Sequence, residues 1–156
     1  PSARLHPTRA YEDVPLVSLE EAIEGLEGYK EDIREQAADA KRNCNNTSTH
    51  GLSIDESAAV QLYMMESIPT EASVYCILNT ALRSGDHGLV APWYYYLKLF
   101  TTALDKLPSN TELLFRGVKE NFSSLYIVGK NITWWGFTSC ITKLKVLEES
   151  RHCGTA

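Results

Sequence analysis

LLFRGV, residues 113–118, sets Leu113, Leu114, Phe115 and Val118 around Arg116 and Gly117. The run is β-compatible. A second run of the same kind, ITWWGFTSCI at 132–141, is rich in β-branched and aromatic residues and carries one glycine break. These two runs make an otherwise helical chain read as α+β. Two strands alone do not form a stable sheet in water, so the pattern predicts further strands from another segment or a second chain. Arg116 then ends an expected buried strand with a permanently charged guanidinium, whose planar donors fit phosphate oxygens in pairs. The competing reading is a structural ion pair with one of the 20 acidic residues. Gly117 behind it, lacking a Cβ, would let a ligand approach the backbone closely.

The residues before this region read as helices. Ser18 with Glu21 forms a capping box, and Ile33, Ala37 and Ala40 continue a helical stripe to about Arg42. Asn43 to His50 is polar loop. Ser53 with Glu56 repeats the capping box, and Ala59, Val60, Leu62, Tyr63 and Met64 supply the apolar face of a second helix that ends before Pro69. A third runs from Glu71 to Arg83 with Gly85 as its stop, and Pro92 opens a fourth that reaches Leu107-Pro108. The organisation expected is therefore one domain over residues 1–156, with a helical part at about 15–108 and the start of a β core at about 111–156.

Composition sets outer limits. At 156 residues a single domain hides about 68–70% of its unfolded surface, enough for a core. The hydrophobic share is 44% and the charged share 22%, and the longest apolar stretch is far shorter than the ~20 residues of a spanning helix. A net charge of −5, with no basic cluster longer than Lys41-Arg42, argues against nucleic acid as the partner. The opening Pro-Ser-Ala-Arg, without an initiator Met, reads as a processed or excised form. Cys44, Cys76, Cys140 and Cys153 show no metal-binding spacing, so no metal site is expected, and their even number permits two disulfides without requiring them. Asn45, Asn46, Asn121 and Asn131 each head an Asn-x-Ser/Thr triplet, which suits a secreted or cell-surface protein. Chance in a chain rich in Asn, Ser and Thr, and a cytoplasmic location, is the other reading.

Taken singly, the remaining chemical groups are ordinary. Trp134 and Trp135 read as core or sheet-face residues before ligand platforms. Ser139 has no His or Asp at the spacing of a nucleophilic triad, and His6, His50, His87 and His152 fall in loop-like or terminal segments.

In combination they say more. A helical half containing SVYCILNTALRS and PWYYYLKLFTTALDKLP, then LLFRGV, then WWGFTSC about twenty residues on, resembles the eukaryotic arginine-type mono-ADP-ribosyltransferases, toxin-related enzymes with an Arg, Ser, Glu signature. The resemblance covers about residues 52–150. It implies a helical part packed on a mixed β core of the ADP-ribosyltransferase type, with only the first strands of that core present. It implies NAD+ as substrate, with NADP+ as the alternative donor, and a protein arginine as acceptor. Arg116 is then the signature Arg, orienting the nicotinamide-side phosphate and ribose. Gly117 bonds the nicotinamide amide through its backbone, Ser139 is the signature Ser, and Phe137 and Thr138 complete the NAD+ contacts.

One part of the pattern is missing. The family's Ser-Thr-Ser is here Ser139-Cys140-Ile141, and no Glu in the sequence is followed by another two places later. Glu148 and Glu149 are adjacent and would face opposite sides of a strand. His152 stands where relatives place an aromatic over the nicotinamide. The decisive carboxylate, which stabilises an oxocarbenium-like ribose as nicotinamide leaves, is thus expected from a further segment or a second chain. The alternative reading is a binding or regulatory module that has shed catalysis.

Overall fold

In the computed structural model, residues 10–44, 50–118, 121 and 123–143 are described. The chain divides into two compact units, Pro1–Pro108 and Ser109–Ala156.

In the first unit Ser18 starts the helices. Its hydroxyl accepts the Glu21 N–H at 3.3 Å and the Glu21 carboxylate accepts the Ser18 N–H at 3.2 Å. Two of the donors that a helix start leaves open are thereby satisfied, and the single turn α1 (Leu19–Ala22) follows. α2 (Ile33–Asn43) buries the expected stripe of Ile33, Ala37 and Ala40. α3 (Ile54–Met64) opens on the second capping box, with Glu56 N–H to the Ser53 hydroxyl at 3.1 Å and Ser53 N–H to the Glu56 carboxylate at 2.8 Å. α4 (Val74–Ser84) begins later than its expected start at Glu71, because Thr70–Ala72 forms a separate 3-10 turn. It stops at Gly85, whose φ of 67° is the left-handed conformation that glycine adopts freely. Asp86 caps α5 (His87–Val90), a 3-10 turn at Ala91–Trp93 carries Pro92, and α6 (Tyr94–Lys106) completes the set.

α3 packs against both α2 and α6, and α4 packs against α3. Ala58 and Ala59, fully buried, keep the middle of α3 narrow where its neighbours approach. Across from them stands an aromatic column. Phe100 stacks on Tyr63 at 4.7 Å and on Tyr96 at 5.9 Å, and Trp93 meets Tyr96 edge-on at 5.9 Å. Each such ring pair adds about 0.5–1.5 kcal/mol beyond the area it buries. The Tyr96 hydroxyl donates to the Ala59 carbonyl at 2.7 Å, and burial, with Tyr63 nearby, pushes that phenol well above its ordinary range. Tyr63 accepts from the Asn79 amide at 3.0 Å.

Charges inside this unit are paired. Glu56 is buried, and both of its carboxylate oxygens lie 2.8 Å from Lys106, fifty residues along the chain. The buried Lys30 ammonium reaches Asp32 at 2.8 Å and the Ser67 hydroxyl at 3.0 Å. Lys41 bonds Asp55 and Glu20, both at 2.6 Å, and Asp55 also accepts the Leu19 N–H at 2.8 Å.

The second unit corrects the expected fold class. Among its described residues there is no helix and no strand, and the expected mixed β core of the ADP-ribosyltransferase type is not found; the chain is mostly helical. What remains of the two expected strands is one antiparallel bridge, Phe115 to Ile141, closed by N–H to O=C bonds of 2.7 and 2.9 Å. The physical reason lies in what β-propensity measures. It describes side chains that fit a half-buried pleated surface, and here Leu113 is 76% exposed and Val118 43% exposed, with no such surface among the described residues. Arg116 is exposed, not set at the tip of a buried strand.

Candidate functional site

The Phe115–Ile141 bridge builds the site. By fixing these two residues opposite each other it brings the residue after Phe115 beside the residues that precede Ile141. The Arg116 guanidinium donates through one terminal nitrogen to the Thr138 hydroxyl at 3.1 Å, and its central carbon sits 5.7 Å from the ring centre of Trp134. A cation at that distance from an indole face is attracted by the ring quadrupole, by about 0.5–1 kcal/mol at an exposed site. Arginine has five N–H donors in a fixed fork. One of them goes to Thr138, and among the described residues Arg116 forms no ion pair. The result is an exposed, oriented cation resting on an aromatic plate, with donors left for an anion.

The other expected residues divide around this cluster. Thr138 is half-buried and its hydroxyl accepts from Arg116. Ser139 is exposed, and its hydroxyl has no hydrogen-bond partner among the described residues. Gly117 and Phe137 are half-buried. The Cys140 thiol lies 3.9 Å from the Thr138 carbonyl. Glu148, Glu149, His152 and Cys153 lie outside the described residues. Sequence reasoning missed Trp134, which it placed in a core or on a sheet face. No local signal in the sequence pairs Arg116 with Trp134, which lies 18 positions further along the chain.

In the helical unit there is a pocket of about 410 Å³ between α4, α5 and the Trp93 turn. Tyr29, Ile77, Leu89 and Trp93 line it, together with the exposed charges Glu71 and Arg83. Trp93 is fully buried, and its indole N–H has no hydrogen-bond partner among the described residues. The wall is mostly hydrocarbon.

Among the described residues no group of three His, Cys, Asp or Glu is placed to hold a metal, and no helix is long and apolar enough to cross a membrane. Cys44, Cys76 and Cys140 are free thiols, and partial burial pushes the Cys44 thiol up. Comparison with family models, with curated proteins and with solved structures finds no match to this chain.

Proposed function

We propose that this chain supplies the NAD+-binding part of a protein mono-ADP-ribosyltransferase that transfers ADP-ribose to an acceptor arginine and releases nicotinamide. The observation that carries the reading is the convergence of the two motifs behind the resemblance, with Arg116 bonded to Thr138 at 3.1 Å across the Phe115–Ile141 bridge. In this reading Arg116 takes a phosphate oxygen of NAD+, as a fork of donors does best. Thr138 holds the guanidinium in place. Trp134 supports it from one face and excludes water there. The Ser139 hydroxyl and the backbone of Gly117 complete the contacts to ribose and nicotinamide, with Phe137 against the ring. NADP+ is the alternative donor.

The departure of nicotinamide needs a carboxylate beside the ribose, and the sequence holds no Glu-x-Glu. Turnover therefore requires a second segment or chain. The same absence supports a second reading, a regulatory module that binds NAD+ without turning it over. Titration calorimetry with NAD+ tests what both readings share. The native chain is expected to bind, and Arg116→Ala to weaken binding roughly 10- to 150-fold, the loss of a hydrogen bond to a charged group. An absence of binding, or an unchanged affinity in the variant, contradicts both readings. Nicotinamide release in the presence of an arginine-bearing acceptor then separates transferase from regulatory module.

A further inference from the structure

The chain has seven asparagines, and four of them, Asn45, Asn46, Asn121 and Asn131, head an Asn-x-Ser/Thr triplet. Serine and threonine occupy 25 of the 156 positions, so chance would give about one such triplet. Asn45 and Asn46 lie outside the described residues. Asn121 and Asn131 do not, and both are exposed, as are Ser123 and Thr133 two places after them. In the first triplet the Asn121 carbonyl oxygen accepts the Ser123 N–H at 3.0 Å and also the Ser123 hydroxyl. This engages the oxygen side of the carboxamide and leaves its NH2 without a partner among the described residues. At Asn131 neither side-chain atom is bonded to a described residue, so that NH2 is equally free to act as the nucleophile in a modifying enzyme.

The run between them adds a second line of argument. Leu125, Tyr126, Ile127 and Val128 are about half to fully exposed, an apolar band at the surface with an acceptor asparagine on each side. Contiguous exposed apolar surface is a solubility hazard, and a bulky hydrated group at each flank would shield it.

We infer that Asn121 and Asn131 are acceptor sites for N-linked glycans. The side-chain amide nitrogen attacks the anomeric carbon of an oligosaccharide carried on a polyisoprenyl diphosphate. A C–N bond forms as the sugar's C–O bond to the diphosphate breaks, the diphosphate leaves with the electron pair, and one amide proton passes to a base of the transferase. Neither site lies among the residues assigned to NAD+, so the inference stands apart from that reading.

The test is secretion of the full chain from eukaryotic cells behind a cleavable leader, followed by intact mass and peptide mapping before and after glycan removal by an amidase. Asn121→Gln and Asn131→Gln are each expected to lower the mass by one glycan, and amidase treatment to leave Asp at both positions of the native sequence. Thr133→Ala abolishes occupancy at Asn131 and Thr133→Ser retains it, which separates recognition of the triplet from a folding defect. After amidase treatment the chain is expected to precipitate at a lower concentration. Recovery of unmodified Asn at either position in secreted chain with native helical content overturns the assignment at that position.

Discussion

The helical residues 10–108 and the residues 109–143 beyond them carry similar shares of apolar side chains and meet different fates. In the first region Trp93, Tyr96 and Phe100 are buried against one another, while in the second Trp134 is 53% exposed and Val128 fully so. Apolar composition therefore does not decide burial. What differs is the number of faces on offer: α3 packs against α2, α4 and α6, so its small alanines and its Tyr63 find partners on several sides. Among the described residues the two β-compatible runs meet at a single bridge. The contrast also separates roles, with stability carried by the helices and the candidate chemistry by an exposed arginine.

The largest effects that can break this comparison lie in the aromatic column. Trp93→Ala is expected to cost about 3–5 kcal/mol in denaturant unfolding, the usual loss for truncating a buried aromatic. Trp93→Phe should cost much less, because it also removes an indole N–H that is buried without a described partner. Next comes the dependence on pH. Partial burial raises the Asp55 carboxyl, but the Leu19 N–H and the Lys41 ammonium together outweigh it and hold the group below its ordinary value of 3.8. For Lys41 burial acts downward, and Asp55 and Glu20 outweigh it to raise the ammonium above 10.5. A carboxyl with a depressed folded pKa binds its proton more readily when unfolded. Its stabilisation is therefore complete above the ordinary carboxylate range and is lost as pH falls below about 4 and through the lower folded value. Asp55→Asn should flatten that acid limb in unfolding curves measured at successive pH values. The smallest effect belongs to the second region, where Trp134→Ala is expected to change stability by no more than about 1 kcal/mol, the most that its exposed contact with Arg116 contributes. A loss comparable to Trp93→Ala would show that residues 109–143 have a core of their own.

Most of the helical region was legible in the sequence, for local reasons. Ser18 with Glu21 and Ser53 with Glu56 name two helix starts by side-chain chemistry within four residues, and Gly85 marks a stop through its own backbone freedom. Periodicity was less dependable at the far end of α3, where Met64, read as part of the apolar face, is 66% exposed. The β runs misled because a strand is a property of a pair of segments, and propensity sees one segment at a time. Pairings across long separations stayed hidden for the same reason. Nothing local to Glu56 announces Lys106, and nothing local to Arg116 announces Trp134. Arg116 and the WWGFTSC motif are joined by a single bridge, which sets Thr138 against the guanidinium.

The division of labour between the regions is open to one direct measurement, amide hydrogen exchange followed by mass spectrometry with and without NAD+. The slowest exchange is expected in α3 and α6 whether or not NAD+ is present, as for the most cooperative part of a fold. NAD+ is expected to slow the amides of residues 114–118 and 137–141 and to leave the helices unchanged. Protection by NAD+ confined to the helices, or no protection at residues 114–118 and 137–141 at saturating NAD+, would contradict the assignment of the site to Arg116 and its neighbours.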